Sequence, residues 1–492
     1  MTGLTLAIAA LAYARQGPNL VPNHASEAPD YFCTWNIQGF ACSYAGAQAT
    51  RDLMKETSLV GGGPLQGWLD FYPSIRKDLL FVMDDSWDVP TGNDERAFGR
   101  LQLDEAKFPS FRGSAEKRLS ALTKVVKAKG WRGLGGWVCA QECPLLTQRP
   151  LKEYWADRLR ELSKGGMAYL KVDWGSHARD LEWRRTLSEL RAENCPNTII
   201  ESALIPDSIQ FADIYRTYDV EAVVSAPTTL SRISLLLSSP AASKSPTIVN
   251  CEDEVYIGAS LGLAYGIMRH PFAGPLPDGR QDFVFPPTCR DLKHRMDEVI
   301  RAVRWHRIAP PFAIGRSSFA CSSQEYVDRW TMREGETWTD RKPGSVASAS
   351  APATMARGVS LPTVRCDEAE PPFVAVARYP NGCLSVGTVG RALDRVYRTP
   401  LADVRIEGAR QGRPIGVFGY YKRLTIQFDK LTRPKAIWAQ DLASDRSENV
   451  LGLVKIEGNL VTVPGSLIRR IGLAAAHRGD LSDPGLVLLF QN

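Results

Sequence analysis

Lys171 and Asp173 stand two residues apart at the end of an apolar run, Met167 to Leu170. A buried parallel strand reads as such a run, and alternation along it puts both side chains on one face. If the strand belongs to a (β/α)8 barrel, its C-terminal end opens into the active site and a Lys-x-Asp there reads as catalytic; the competing reading is a buried ion pair that only fixes packing. Ionisable and aromatic residues end other apolar runs too: Trp35-Asn36, Asp84-Asp85 with Trp87, Trp137, Glu201 and Asp219. No His ends any of them. Carboxylates among tryptophans, with no histidine or metal cluster, suit glycosidic bond cleavage, where one carboxylate attacks the anomeric carbon and another protonates the leaving oxygen. Trp faces stack on sugar C–H surfaces, although a tryptophan by itself is more often packing than ligand.

Positioning these residues requires an ordered set of strands. Short apolar runs alternate with amphipathic stretches from Tyr31 to about His306, the pattern of βα units on a parallel sheet. The candidate strands are 31–36, 79–84, 131–138, 168–173, 198–202, 214–219, 247–250 and a short one near 268–272. Helices are expected between them, most clearly over 114–129, where Leu119, Leu122, Val125 and Val126 share a face and Gly130 follows as a cap, and also over 182–193 and 291–306. The stretch 255–268 is apolar on all sides and fits helix or strand.

After Pro310-Pro311 the pattern changes to short β-branched runs punctuated by Gly, Pro and Ser. Asn381-Gly382 between 373–379 and 384–389 is a strong hairpin signal, and further strands are expected over 413–421, 424–428, 436–439, 460–463 and 486–490. The reading is an α/β chain: an N-terminal segment over 1–29, a (β/α)8 TIM barrel over 30–309 and an all-β antiparallel sandwich over 310–492. Residues 341–363, rich in Ser, Ala, Pro and Gly, read as a long mobile loop.

Composition bounds the partners. The chain has 492 residues, 44% hydrophobic and 23% charged, with a net charge of +6 and no run of five basic residues, which is too dilute to argue for nucleic acid. No eighteen-residue apolar stretch offers a membrane span. The ten cysteines form no C-x-x-C and no zinc-ligand spacing, which argues against a structural metal and leaves disulfide pairing open. Leu4 to Ala14 resembles a short signal-peptide apolar region with an Ala-x-Ala end, but lacks a basic start and continues as an amphipathic helix would, so secreted, periplasmic and cytoplasmic locations all fit.

Three segments, Tyr31-Phe32-Cys33-Thr34-Trp35-Asn36, Phe81-Val82-Met83-Asp84-Asp85-Ser86-Trp87 and Tyr169-Leu170-Lys171-Val172-Asp173, resemble in order and strand number the retaining α-galactosidases of glycoside hydrolase family 27, and more loosely family 36. Phe108-Pro109-Ser110-Phe111, the run from Gly130 to Trp137, and Glu201-Ser202 extend the likeness. The resemblance implies Asp173 as nucleophile, Lys171, Asp84 and Asp85 as ligands of sugar hydroxyls, Asp219 as general acid/base, Arg216 as a ligand of the sugar 2-position and Glu201 near that position. It implies no cofactor and a glycoside or oligosaccharide as partner; Trp35, Trp87 and Trp137 are the aromatic candidates for the same pocket. Arg216 and Asp219 are three apart where the family has four, so Asp213 and Glu221 stay open as proton donors. Trp174-Gly175-Ser176 and the acidic segment 250–254 also depart from the family pattern. The sugar that the resemblance implies is an α-galactoside, or a β-L-arabinopyranoside with the same ring hydroxyls.

Two other classes compete. Gly258-Ala259-Ser260-Leu261-Gly262 matches the G-x-S-x-G elbow of serine hydrolases, with His294 and His306 downstream, provided a strand precedes it and a helix follows. A barrel that binds glycans without cleaving them is the other.

Overall fold

The computed structural model describes residues 16–62, 65–92, 95–218, 223–240, 245–281, 292–334, 342–394 and 396–492. Eight parallel strands run in the order of the chain: β1 Tyr31–Cys33, β2 Leu80–Met83, β3 Gly133–Val138, β4 Met167–Val172, β5 Ile199–Ser202, β6 Ile214–Arg216, β7 Ile248–Asn250 and β8 Gly266–Ile267. β8 pairs with β1, and a parallel bridge from Asn250 to Ala264 joins β7 to the start of β8, so the sheet closes on itself. Tyr31, Cys33, Leu80, Val82, Tyr169, Ile214 and Met268 cluster inside the barrel. The alternate residues Phe32, Phe81, Leu134 and Leu170 face the surrounding helices. This is the two-residue period of strands covered on both sides.

The helices expected over 114–129, 182–193 and 291–306 are found as Ala115–Ala128, Leu181–Asn194 and Met296–His306. Two more, Leu151–Lys164 and Ser225–Ser238, complete the outer layer. The first strand is shorter than its sequence suggested: Trp35 opens the helix Trp35–Ala41 instead of extending β1. The ambiguous stretch after 255 divides into a helix, Val255–Leu261, and the strand β8, with Gly262 in a left-handed conformation (φ +66) between them.

The C-terminal half packs a nine-stranded sheet on a five-stranded one around Val376, Val386, Val404, Ile406, Val417, Leu424, Ile426, Val461 and Leu488. The hairpin at Asn381-Gly382 joins Phe373–Arg378 to Leu384–Val389. The sandwich is not purely antiparallel: Leu384–Val389 runs parallel to Ile415–Phe418, and Ala402–Ala409 parallel to Arg423–Phe428. In each case the chain crosses to the other sheet and back between the two strands, which returns it in the same direction. The expected loop over 341–363 contains the strands Val346–Pro352 and Thr354–Arg357. Alternation of small residues there suffices for pairing with Glu325–Thr331, a signal that a hydrophobicity pattern overlooks.

The two halves share a buried seam. Arg301 on the helix Met296–His306 grips Asp441 of the sandwich through Nε–Oδ1 at 2.9 Å and Nη2–Oδ2 at 3.1 Å. Among the described residues no helix is long and apolar enough to cross a membrane.

Candidate active site

Lys171 and Asp173 project from the C-terminal end of β4, as expected. Lys171 Nζ lies 2.7 Å from Asp84 Oδ2 at the end of β2, and the thiol of Cys33 donates to that same oxygen at 2.8 Å. Burial alone would push the Lys171 ammonium down, but Asp84 together with Cys33 and Asp173 reverses that and holds the amine protonated, well above the usual lysine value. Asp173 accepts from the indole N–H of Trp137 at 3.0 Å through Oδ2, and its Oδ1 lies 3.0 Å from Arg216 Nη2. Burial raises the Asp173 pKa; Arg216, Lys171 and the Trp137 bond together reverse that and hold the carboxyl below its ordinary range. Asp173 is therefore an anion at neutral pH.

Arg216 ends β6 and gathers three carboxylates: Asp173, Glu252 at 3.4 Å from Nη1 and Glu201 at 3.4 Å from Nε. The ring of Tyr218 covers its guanidinium at 4.6 Å from the centroid. Tyr218 is 42% exposed and has φ 60, a left-handed backbone for a bulky residue at the mouth of the barrel.

Three expectations shift. Glu201 is 0% exposed, and its oxygens accept from Tyr31 Oη at 3.1 Å, Tyr169 Oη at 2.7 Å and Asn250 Nδ2 at 2.7 Å. It braces Arg216 from below; burial outweighs the pull of Arg216 and raises its pKa. Trp87 is buried, donates to the Trp137 carbonyl at 2.8 Å and lies on Gly136, where an added Cβ would stand 3.2 Å from its ring. It supports β3. Asp85 pairs with Arg51 at 3.1 Å and accepts from Ser86 Oγ at 2.7 Å; desolvation lifts its pKa to about 6 against the pull of Arg51.

Trp35 remains partly exposed at the rim and packs on the cluster inside the barrel. Asp213 precedes β6 at the opposite end of the barrel from Asp173, where it accepts from Arg191 and from the backbone of Ile200. It is thereby removed as a proton donor. Asp219 and Glu221 lie outside the described residues, as do residues 1–15 and Cys289. The other nine cysteines are free thiols.

The G-x-S-x-G match does not form an elbow. Ser260 lies inside the helix Val255–Leu261, fully buried, with its hydroxyl donating to the Tyr256 carbonyl at 2.7 Å and its own carbonyl accepting from Ser385 Oγ. Small residues there let the helix approach the sandwich, since a Cβ on Gly387 would meet Ser260 Oγ at 2.0 Å.

Several site residues escaped the sequence reading. Tyr31 and Cys33 are inward positions of β1, legible from alternation once β1 is placed. Asn250 ends β7, and Glu252 follows two residues later. Arg51 comes from the short helix Ala47–Asp52 and Phe98 from the loop after β2, neither of which carries a strong periodic signal.

Neither a protein-family model nor a curated protein matches the sequence. Among solved structures, α-galactosidase I from Mortierella vinacea is similar over 94% of this chain and 97% of its own, with 11% identity and a TM-score of 0.41. A family 27 β-L-arabinopyranosidase from Geobacillus stearothermophilus is similar over 95% and 97%, with 8% identity and a TM-score of 0.40. A putative α-N-acetylgalactosaminidase from Bacillus halodurans covers 97% and 100%, with 9% identity and a TM-score of 0.41. At such distances none of them decides what this chain acts on.

Proposed function

We propose that the protein is a glycoside hydrolase that removes a terminal α-galactoside-like sugar with retention, with Asp173 as nucleophile and Asp219 as general acid/base. The observation that carries this reading is the state of Asp173: a carboxylate at the barrel mouth, kept ionised by Arg216 and Lys171, with one oxygen anchored by Trp137 and the other 3.0 Å from the Arg216 guanidinium. That is what an attacking carboxylate requires.

In the first step Asp173 bonds to the anomeric carbon as the glycosidic C–O bond breaks, and Asp219 gives its proton to the leaving oxygen. In the second, Asp219 takes a proton from water, whose oxygen attacks the same carbon and frees Asp173. Asp84 and Lys171 are the groups best placed to hydrogen-bond the ring hydroxyls. Arg216 supplies the positive charge that keeps Asp173 in place, and Glu252 holds Arg216 from its other side.

The test is hydrolysis of a nitrophenyl glycoside panel, including the α-galactoside and the β-L-arabinopyranoside, by wild type and by Asp173→Ala and Asp219→Ala. Turnover lost by roughly 10³-fold or more in both variants supports the assignment. Activity that survives Asp173→Ala sinks it, and binding of sugars without any turnover indicates a lectin-like barrel.

A further inference from the structure

We propose that Trp174 is the platform for the sugar that follows the terminal one, so that this residue sets the preference of the site for oligosaccharides over simple glycosides; the inference rests on the glycosidase reading above. Trp174 directly follows Asp173 and belongs to a cluster with Val89, Ala97, Phe98, Trp137 and Cys139. Those five are buried, and Trp174 alone of the six is partly exposed. Its ring meets Phe98 edge to face at 4.9 Å and Trp137 at 5.3 Å, and the guanidinium of Arg51 stands 5.7 Å from its centroid.

The indole is held in place by its backbone. The Trp174 carbonyl accepts from Ala140 N at 2.8 Å, and His177 N donates to the Ala140 carbonyl at 2.8 Å, tying the loop after β4 to the loop after β3. Gly175 adopts φ +141 at this crossing, and a Cβ there would lie 2.6 Å from the Ala140 backbone. A rigid aromatic face loses little entropy when a ring stacks on it.

Position then selects the ligand. The charged groups that suit a terminal sugar, Asp84, Lys171 and Arg216, end β2, β4 and β6 and point inward. Trp174 lies one residue beyond Asp173, where the chain leaves the barrel, and the aromatic cluster fills the side between the loops after β2 and β3. What stacks on its exposed part therefore belongs to the part of the substrate that extends out of the mouth. The flat C–H face of a pyranose fits an indole.

The experiment compares kcat/KM for a disaccharide and for the matching glycosyl fluoride, which has no following sugar, in wild type, Trp174→Ala and Trp174→Phe. The ratio of the two substrates is expected to fall about five- to tenfold in Trp174→Ala and to stay within about twofold of wild type in Trp174→Phe. Should the alanine variant fail to fold, Trp174→Leu, which keeps bulk without an aromatic face, gives the same comparison. An unchanged ratio in an active variant overturns the platform and leaves the glycosidase reading intact. A wild-type protein that turns over no glycosyl fluoride overturns that reading, and this one with it.

Discussion

Asp173 Oδ1 and Arg216 Nη2 lie 3.0 Å apart in a buried ion pair. With Lys171, the guanidinium stabilises the carboxylate as an anion, the form that attacks. Replacing Arg216 by Met should lower kcat/KM by roughly 10²-fold or more and move the acidic limb of its pH profile upward. A lysine at that position would retain part of the charge and restore part of the shift, which a pH–rate series on both variants would reveal.

Lys171 acts on the same carboxyl from the other side. The folded pKa of Asp173 is depressed, so its ionised form contributes stability present above the unfolded value of 3.8 and lost as the pH falls through the folded one. Lys171→Met removes one of the causes and leaves Asp84 without its cation. The expected result is an acidic limb displaced to higher pH and a lower kcat, read from the same assay.

Asp88 behaves in the opposite sense. Desolvation lifts its pKa to about 7, and although Oδ2 accepts from Leu101 N at 2.9 Å, Oδ1 has no partner. Between the unfolded value of 3.8 and about 7 the folded protein holds a proton that the unfolded chain has released, so stability falls as the pH rises through that window. Asp88→Asn mimics the protonated group. It should raise the Tm at pH 8 by the order of a few degrees and leave it nearly unchanged at pH 4, as thermal melts at both values would show.

The seam between barrel and sandwich depends on Arg301 and Asp441, both fully buried. Asp441 also accepts from the backbone of Ala443 and Ala475. Asp441→Ala strands a buried guanidinium and should cost about 3–5 kcal/mol, measured by chemical denaturation. A loss under about 1 kcal/mol would mean that the two halves unfold independently of this pair.

Glu201 tests whether a residue beneath the site acts through Arg216. Glu201→Gln keeps size and an acceptor but removes the charge under the guanidinium. If it only braces Arg216, kcat should fall while KM changes little. A rise in KM with kcat unchanged would return Glu201 to the sugar.

The order of the barrel strands, the face shared by Lys171 and Asp173, and the change to β-structure after Pro310-Pro311 were legible in the chain, because each follows from local periodicity and from where a parallel strand must end. Tertiary structure decided what periodicity does not encode. Glu201 and Trp87 read as ligands on type and position alone, but the pairing of distant segments closed Tyr31, Tyr169 and Asn250 around the one and laid the other on Gly136. Asp213 and Asp173 are both strand-flanking carboxylates, and only strand direction in the closed barrel puts them at opposite ends. Ser260 matched a nucleophile motif, yet the packing of its helix on the sandwich turned that hydroxyl back to Tyr256. Arg51 from the helix Ala47–Asp52 and Phe98 from the loop after β2 joined Trp174 from far apart in sequence. Sequence spacing fixes which face of an element a side chain takes, whereas the partner across a gap depends on how elements close upon one another.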